Sequence, residues 1–354
     1  MAVYTNIDNP GLFFNTVLYT GNGTAIGSGG NAITGVGFQP DWVWIKNRSG
    51  TTAHHLQDVV RGPTKAVYSN LTNAEGTSTE NVNSFDSDGF TVGSGTGVNT
   101  NANNFASWNW LAGGSASSNS DGSITSTVSA NQTAGFSIVS WTGDENASSN
   151  VGHGLGSDLG MIIIKNRIDA EHWEVWHKNL TSTSDYRLLL SGTIAENNNA
   201  AFFSEAPTST VFTPGSNGAI NGSGDAMIAY CFAEKQGYSK IASYTGNGNA
   251  DGTFVYTGFK PAWVMIKRTD ASGHYWHVYD NKRSTSGSNI VDDVLYPNRS
   301  DAEYSGDKLD IISNGFKCRS SNTDINASSG TYIFMAFAEN PFVTAGTKAA
   351  GTAR

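Results

Sequence analysis

Charge is scarce in this chain. Only 14% of its 354 residues are Asp, Glu, Lys or Arg, and the balance is acidic, with a net charge of −9. Nucleic acid is excluded as a partner on that ground, because phosphate backbones are bound by clusters of Lys and Arg that the sequence lacks. Long apolar runs are missing as well: no stretch approaches the ~20 residues that a bilayer-spanning helix needs, so no membrane insertion is expected. The start, Met1-Ala2-Val3-Tyr4-Thr5-Asn6, has neither the basic residues nor the apolar core of a secretory signal, and folding in a cytoplasm is expected. Two cysteines, Cys231 and Cys318, give no disulfide framework or metal-ligand spacing and read as small buried residues. Proline is rare, at 8 residues, and helix formers never cluster at a 3.6-residue period.

What is present is a sentence spelled three times: an aromatic-Thr-Gly turn, a Gly-rich stretch, an apolar run ending in lysine and an aromatic closing strand. The first copy runs from Tyr19-Thr20-Gly21 through Trp42-Val43-Trp44-Ile45-Lys46 to Phe105-Ala106-Ser107-Trp108. The second has Trp141-Thr142-Gly143, Met161-Ile162-Ile163-Ile164-Lys165 and Met227-Ile228-Ala229-Tyr230. The third has Tyr244-Thr245-Gly246, Trp263-Val264-Met265-Ile266-Lys267 and Tyr332-Ile333-Phe334-Met335. Each copy is as long as an ordinary domain, so this is no small solenoid repeat. With 41 glycines and abundant Asn, Ser and Thr between short apolar runs, the reading is all-β: three tandem β-sandwich units.

The expected boundaries are a leader over 1–14, units over 15–112, 134–236 and 237–340, and a tail over 341–354. Residues 113–133, rich in Gly, Ser and Asn, read as a loose connector that lets the first unit move, while the second and third abut. The central strands are apolar at every position and must be covered on both faces. At the turns Asp88-Gly89-Phe90 and Asn314-Gly315-Phe316, glycine is expected to supply a positive φ.

The lysines closing the central strands read as structural. Expected partners are Asp58 for Lys46, Asp280 for Lys267 and His177 for Lys165, with Glu234 and Glu339 as further candidates. His172 and His177 flank Trp173, and His274 and His277 flank Trp276, but the registers differ between units and no shared metal site is expected. Asp86, Asp88, Asp225, Asp292 and Asp293 fall in turn contexts; with no nucleophile elbow or phosphate loop, neither an enzymatic role nor a cofactor is expected. Asn99, Asn221 and Asn326 each precede a closing strand by six residues. They read as turn residues, or alternatively as contacts in a sugar- or cation-binding loop. Trp176, Tyr275 and Tyr279 are the candidate surface platforms for sugar stacking, and Trp42, Trp44 and Trp263 belong to the core. Leu12, Phe13 and Phe14 are the candidate assembly anchor.

The phrases Gly37-Phe38-Gln39-Pro40-Asp41-Trp42-Val43-Trp44-Ile45-Lys46-Asn47-Arg48, Ser84-Phe85-Asp86-Ser87-Asp88-Gly89-Phe90, Gly152-His153-Gly154-Leu155-Gly156 and Tyr332-Ile333-Phe334-Met335-Ala336-Phe337-Ala338-Glu339-Asn340-Pro341-Phe342 resemble a repeat family of tailed-bacteriophage virion proteins. The resemblance spans nearly the whole chain. It implies jelly-roll or lectin-like sandwiches, a place on the virion after assembly in the host cytoplasm, a homo-oligomer, and other virion proteins as partners. Two functions follow as expectations. One is a tail fibre or appendage component that engages host surface glycan through many weak contacts; the other is a capsid or tail decoration protein that binds only virion proteins.

Overall fold

A computed structural model describes residues 4–284 and 289–344. The fold is nearly all-β, with several sandwich-like sheets. Among the described residues, helix is confined to single turns such as Thr96–Asn99, Gly218–Asn221 and Thr323–Asn326.

Three large antiparallel sheets share a core strand order. In the first, the opening strand Phe14–Thr20 lies beside the closing strand Asn104–Trp110, then the central strand Trp42–Asn47, then His55–Asp58. The middle sheet repeats this as Phe136–Thr142, Ala226–Ala233, Leu159–Asn166 and Glu174–His177. In the third the order is Ser239–Thr245, Thr331–Pro341, Phe259–Arg268 and His277–Asp280. A smaller sheet from the same stretch of chain covers one face of each: Asn31–Thr34 with Gly89–Val92 and Val82–Asp86, then Val151–Gly152 with Val211–Pro214 and Phe203–Glu205, then Phe254–Tyr256 with Gly315–Cys318, Tyr304–Ile312 and Ile290–Val294.

Strand alternation sends the two faces of each central strand into different cores. Val43 and Ile45 pack under the first small sheet, Ile162 and Ile164 under the second, and Val264 and Ile266 under the third. The other face, with Trp42, Trp44, Met161, Ile163, Trp263 and Met265, enters one core shared by all three large sheets. Aromatic contacts tie it together. Trp42 stacks on Tyr230 of the middle sheet at 4.2 Å, and Trp110 meets Trp263 of the third edge-on at 5.7 Å. The expected burial of these strands on both faces is therefore observed, with the second cover supplied by the other two sheets.

Two expectations change. Residues 113–133 are no loose connector: Ser117–Asn119 and Ser126–Asn131 extend the middle sheet beyond its opening strand. Ser126 Oγ donates to Gly152 O, and Ser129 Oγ to Gly114 O, so the serines that suggested flexibility hold the segment in place. Gly89 has the expected positive φ, 153°, but at positions 89 and 315 alike glycine also answers close packing. A Cβ there would sit 1.9 Å from Ile33 O and 2.1 Å from Val255 O, and Gly315 has no positive φ.

Candidate functional site

The three opening turns are built alike. Each follows an opening strand and is clipped by the buried asparagine found six residues before the closing strand. Asn99 Oδ1 accepts from Asn22 N, Asn221 Oδ1 from Asp144 N and Asn326 Oδ1 from Asn247 N, at 2.9, 3.2 and 3.0 Å. In return the three amide groups donate to Asn22 Oδ1, Asp144 Oδ1 and Asn247 Oδ1 at 3.0, 3.2 and 3.0 Å. Asn326 also donates to Asn249 O and Ser320 O, so its NH₂ sits where the loop oxygens converge. All three asparagines are fully enclosed. The turn reading fits this placement, and the ligand-contact reading does not: an amide with no exposed surface and its donors already committed offers nothing to a sugar.

The proposed stacking aromatics are also inside. Tyr279 has no exposed surface, and Trp176, 3% exposed, donates its Nε1 to Thr183 O at 2.8 Å. Tyr275 is half-buried, with the Arg299 guanidinium 4.5 Å from its ring centroid, so that face is already taken. Trp176 and Tyr279 alternate with neighbours that also face a packed layer, so their strands leave no solvent face there. The leader divides: Leu12 is exposed, Phe13 packs partly against the shared core, and Phe14 lies within it, stacked 5.1 Å from Phe337.

Lys46, Lys165 and Lys267 are buried, but their partners are backbone carbonyls rather than the expected side chains. Lys46 Nζ donates to Asn47 O and Gly50 O, Lys165 to Asn166 O and Asp169 O, and Lys267 to Arg268 O, at 2.6 to 3.1 Å. Burial pulls each ammonium down to about 8. The residues expected beside them are engaged elsewhere. Asp58 holds Arg61 and Asp280 holds Arg283, each at 2.6 Å; Glu234 holds Lys178 and Lys240; and Glu339 holds Lys260.

Those pairs belong to a feature that spacing alone did not expose: three like interfaces joining the large sheets in a closed ring. Tyr230 of the middle closing strand donates to Asp58 beside Arg61. Trp108, in the same position of the first closing strand, donates its Nε1 to Asp280 beside Arg283 at 2.9 Å. Met335 holds that position in the third closing strand, and the middle sheet has His177 and Leu180 in place of Asp and Arg. A second contact repeats all three times. Glu75 N donates to Arg167 O, Glu303 N to Arg48 O, and Glu196 N to Thr269 O, at 2.8, 2.9 and 2.7 Å. Glu75 and Glu303 also grip the arginine side chains, whereas Glu196 turns to Thr181. The available signal was the shared Asp-x-x-Arg at 58–61 and 280–283.

His172 is exposed and meets Ser191 Oγ, whereas His177 is enclosed, with burial lowering it to about 3. His274 contacts Asp324, and His277 lies 3.5 Å from Asp307. Among the described residues no group of three or more His, Cys, Asp or Glu is placed to hold a metal ion. Asp86 accepts from Ser84 and Thr91, Asp88 from Gly35 N and Gly37 N, and Asp225 from Asn166, whereas Asp292 and Asp293 lie in the strand Ile290–Val294 and not in a turn, Asp293 accepting from Ser305 across the pair. Asp292 donates its backbone N–H to Ser284 Oγ. Both cysteines are buried and free.

No curated protein and no solved structure matches the chain. A family model described as a domain of unknown function, DUF7483, matches residues 9–341. That span takes in all three large sheets and the ring between them, and the chain therefore belongs to the DUF7483 domain family.

Proposed function

We propose that the chain is three tandem sandwich units of jelly-roll or lectin-like type, closed into a ring, and that it serves on a tailed-bacteriophage particle as a tail fibre or appendage component engaging host surface glycan. The observation that carries this reading is the repeated amide clip. Three polar turns, around Asn22, Asp144 and Asn247, are held in one conformation by Asn99, Asn221 and Asn326. Rigid copies of a shallow polar turn suit weak contacts made many at a time, and oligomerisation on a particle multiplies them further. The phage setting itself rests on the sequence resemblance.

A decoration role, with only virion proteins as partners, is favoured by one feature: Leu12, the exposed apolar residue of a leader whose Phe14 is anchored in the core. The test is competition. Purified protein should adsorb to susceptible cells and reduce phage adsorption. Binding to particles that lack it, with no effect on adsorption, would assign it to decoration.

A further inference from the structure

The third small sheet carries an outward-facing aromatic pair that its fold does not require. Phe254 and Tyr256 lie two apart on its edge strand and share the solvent face, 46% and 54% exposed, while Val255 between them is buried. The corresponding first strand, Asn31–Thr34, turns Ala32 and Thr34 outward around buried Ile33, and that sheet closes in the same strand order. Large rings are therefore not needed to build the layer.

Both rings are held in place. A Cβ added at Gly315 would come within 3.1 Å of Phe254 Cε2, which shows the ring lying across this glycine of the neighbouring strand. Tyr256 lies beside Gly258, against the hydroxyl of Tyr4, which itself donates to Gly258 O. Next along the sheet from Phe254 are Lys317 and then Asp310. Their charges are matched locally: Lys317 pairs with Asp251, and Arg319 spans Asp251 and Asp310 at 3.4 Å.

We infer that this face is a carbohydrate-binding platform for a neutral glycan, with Phe254 and Tyr256 stacking on pyranose rings and the Lys317, Arg319, Asp251 and Asp310 rim taking their hydroxyls. The rim's chemistry selects that occupant. An acidic polymer would have to displace the carboxylates from their cations, and a purely apolar partner would strand both; sugar hydroxyls donate to the carboxylates and accept from the cations without disturbing the pairing. Exposed rings with fixed orientation supply contact area at little entropic cost. This inference rests on the glycan-attachment reading and gives it a site.

The test uses the full chain with maltohexaose and cellohexaose as probes, followed by ligand-observed NMR saturation transfer and titration. At least one probe should bind saturably in the millimolar range. Phe254→Ala with Tyr256→Ser should weaken it about tenfold or more, as loss of stacking worth ~1.4 kcal/mol would, whereas Tyr304→Ser, an exposed tyrosine on the same sheet, should leave it unchanged. No saturable binding of either sugar, or binding indifferent to the double variant, overturns the site. So does a concentration-dependent dimer, seen by sedimentation, that the double variant abolishes, since a second copy would then be the occupant. Cell adsorption separates the two ideas. Adsorption that survives the double variant keeps host attachment and removes this platform, whereas sugar binding by a protein that ignores cells keeps the platform and removes host attachment.

Discussion

Tyr230 donates its hydroxyl to the Asp58 carboxylate at 2.8 Å, joining the middle sheet to the first at a buried ion pair. The Trp108 indole does the same for Asp280 in the third sheet, at 2.9 Å. Each donor reaches a carboxylate already holding an arginine with no exposed side chain, so the contact is charge-assisted and dry. Tyr230→Phe should cost about 1.5–3 kcal/mol of unfolding free energy in urea titration, the range for a lost hydrogen bond to a charged group. A change under about 0.5 kcal/mol would mean that Asp58 is satisfied by Arg61 alone.

The glutamates should show the ring's asymmetry. Glu75→Ala takes the carboxylate from Arg167 and leaves Arg61 with that of Asp58 alone, and removing one member of a buried charge network costs about 3 kcal/mol or more. Glu196→Ala removes a partly exposed side chain whose carboxylate accepts from Thr181 N and Oγ1, and should cost about 1 kcal/mol or less. Equal losses in chemical denaturation would show the two positions are energetically alike.

Acid should destabilise the fold before most carboxylates titrate. His55 is lowered by burial to about 4 and His177 to about 3, with His54 and His153 shifted the same way. The unfolded chain then binds protons below about pH 6.5 that the folded chain refuses, so stability falls as pH drops from there towards 4. At pH 5 each strongly shifted histidine accounts for roughly 2 kcal/mol. Glu174, raised to about 7 by burial, has the opposite sign over part of this window but is a single group. His177→Gln should flatten the pH profile of the melting temperature between 6.5 and 4.5 relative to the parent; an unchanged slope would show that His177 is protonated in the fold.

The buried lysines give an alkaline counterpart. Their folded value of about 8 lies below the unfolded 10.5, so the unfolded state binds more protons between those limits and stability rises with pH there. Lys165→Met should remove part of that rise, measured between pH 8 and 9.5, before the tyrosines ionise in the unfolded chain. A Lys165→Met profile that runs parallel to the parent's across that interval would contradict the assignment.

Much of the layer plan is legible in sequence because it rests on short-range patterns. Trp42 to Ile45 is apolar at every position, and alternation alone requires two covers. The asparagines were legible as turn residues because Asn99, Asn221 and Asn326 recur at one spacing. The ring was not, since Tyr230 and Asp58 are 172 residues apart and no period links them. Trp176 and Tyr279 misled because a half-polar strand can still be covered on both faces. Phe254-Val255-Tyr256 carries no polar alternation to mark an exposed face: all three are strand formers, yet only Val255 is buried.

The three large sheets share one core, and differential scanning calorimetry of the full chain tests this most directly. Trp263 is the probe residue: it meets Trp108 at 6.3 Å and Trp110 at 5.7 Å across the sheet boundary. Trp263→Ala should therefore cost about 3–5 kcal/mol and lower a single transition, whose calorimetric and van't Hoff enthalpies agree in both proteins. Two or three separate transitions, with only one moved by the substitution, would contradict the shared core and describe independent domains on a string.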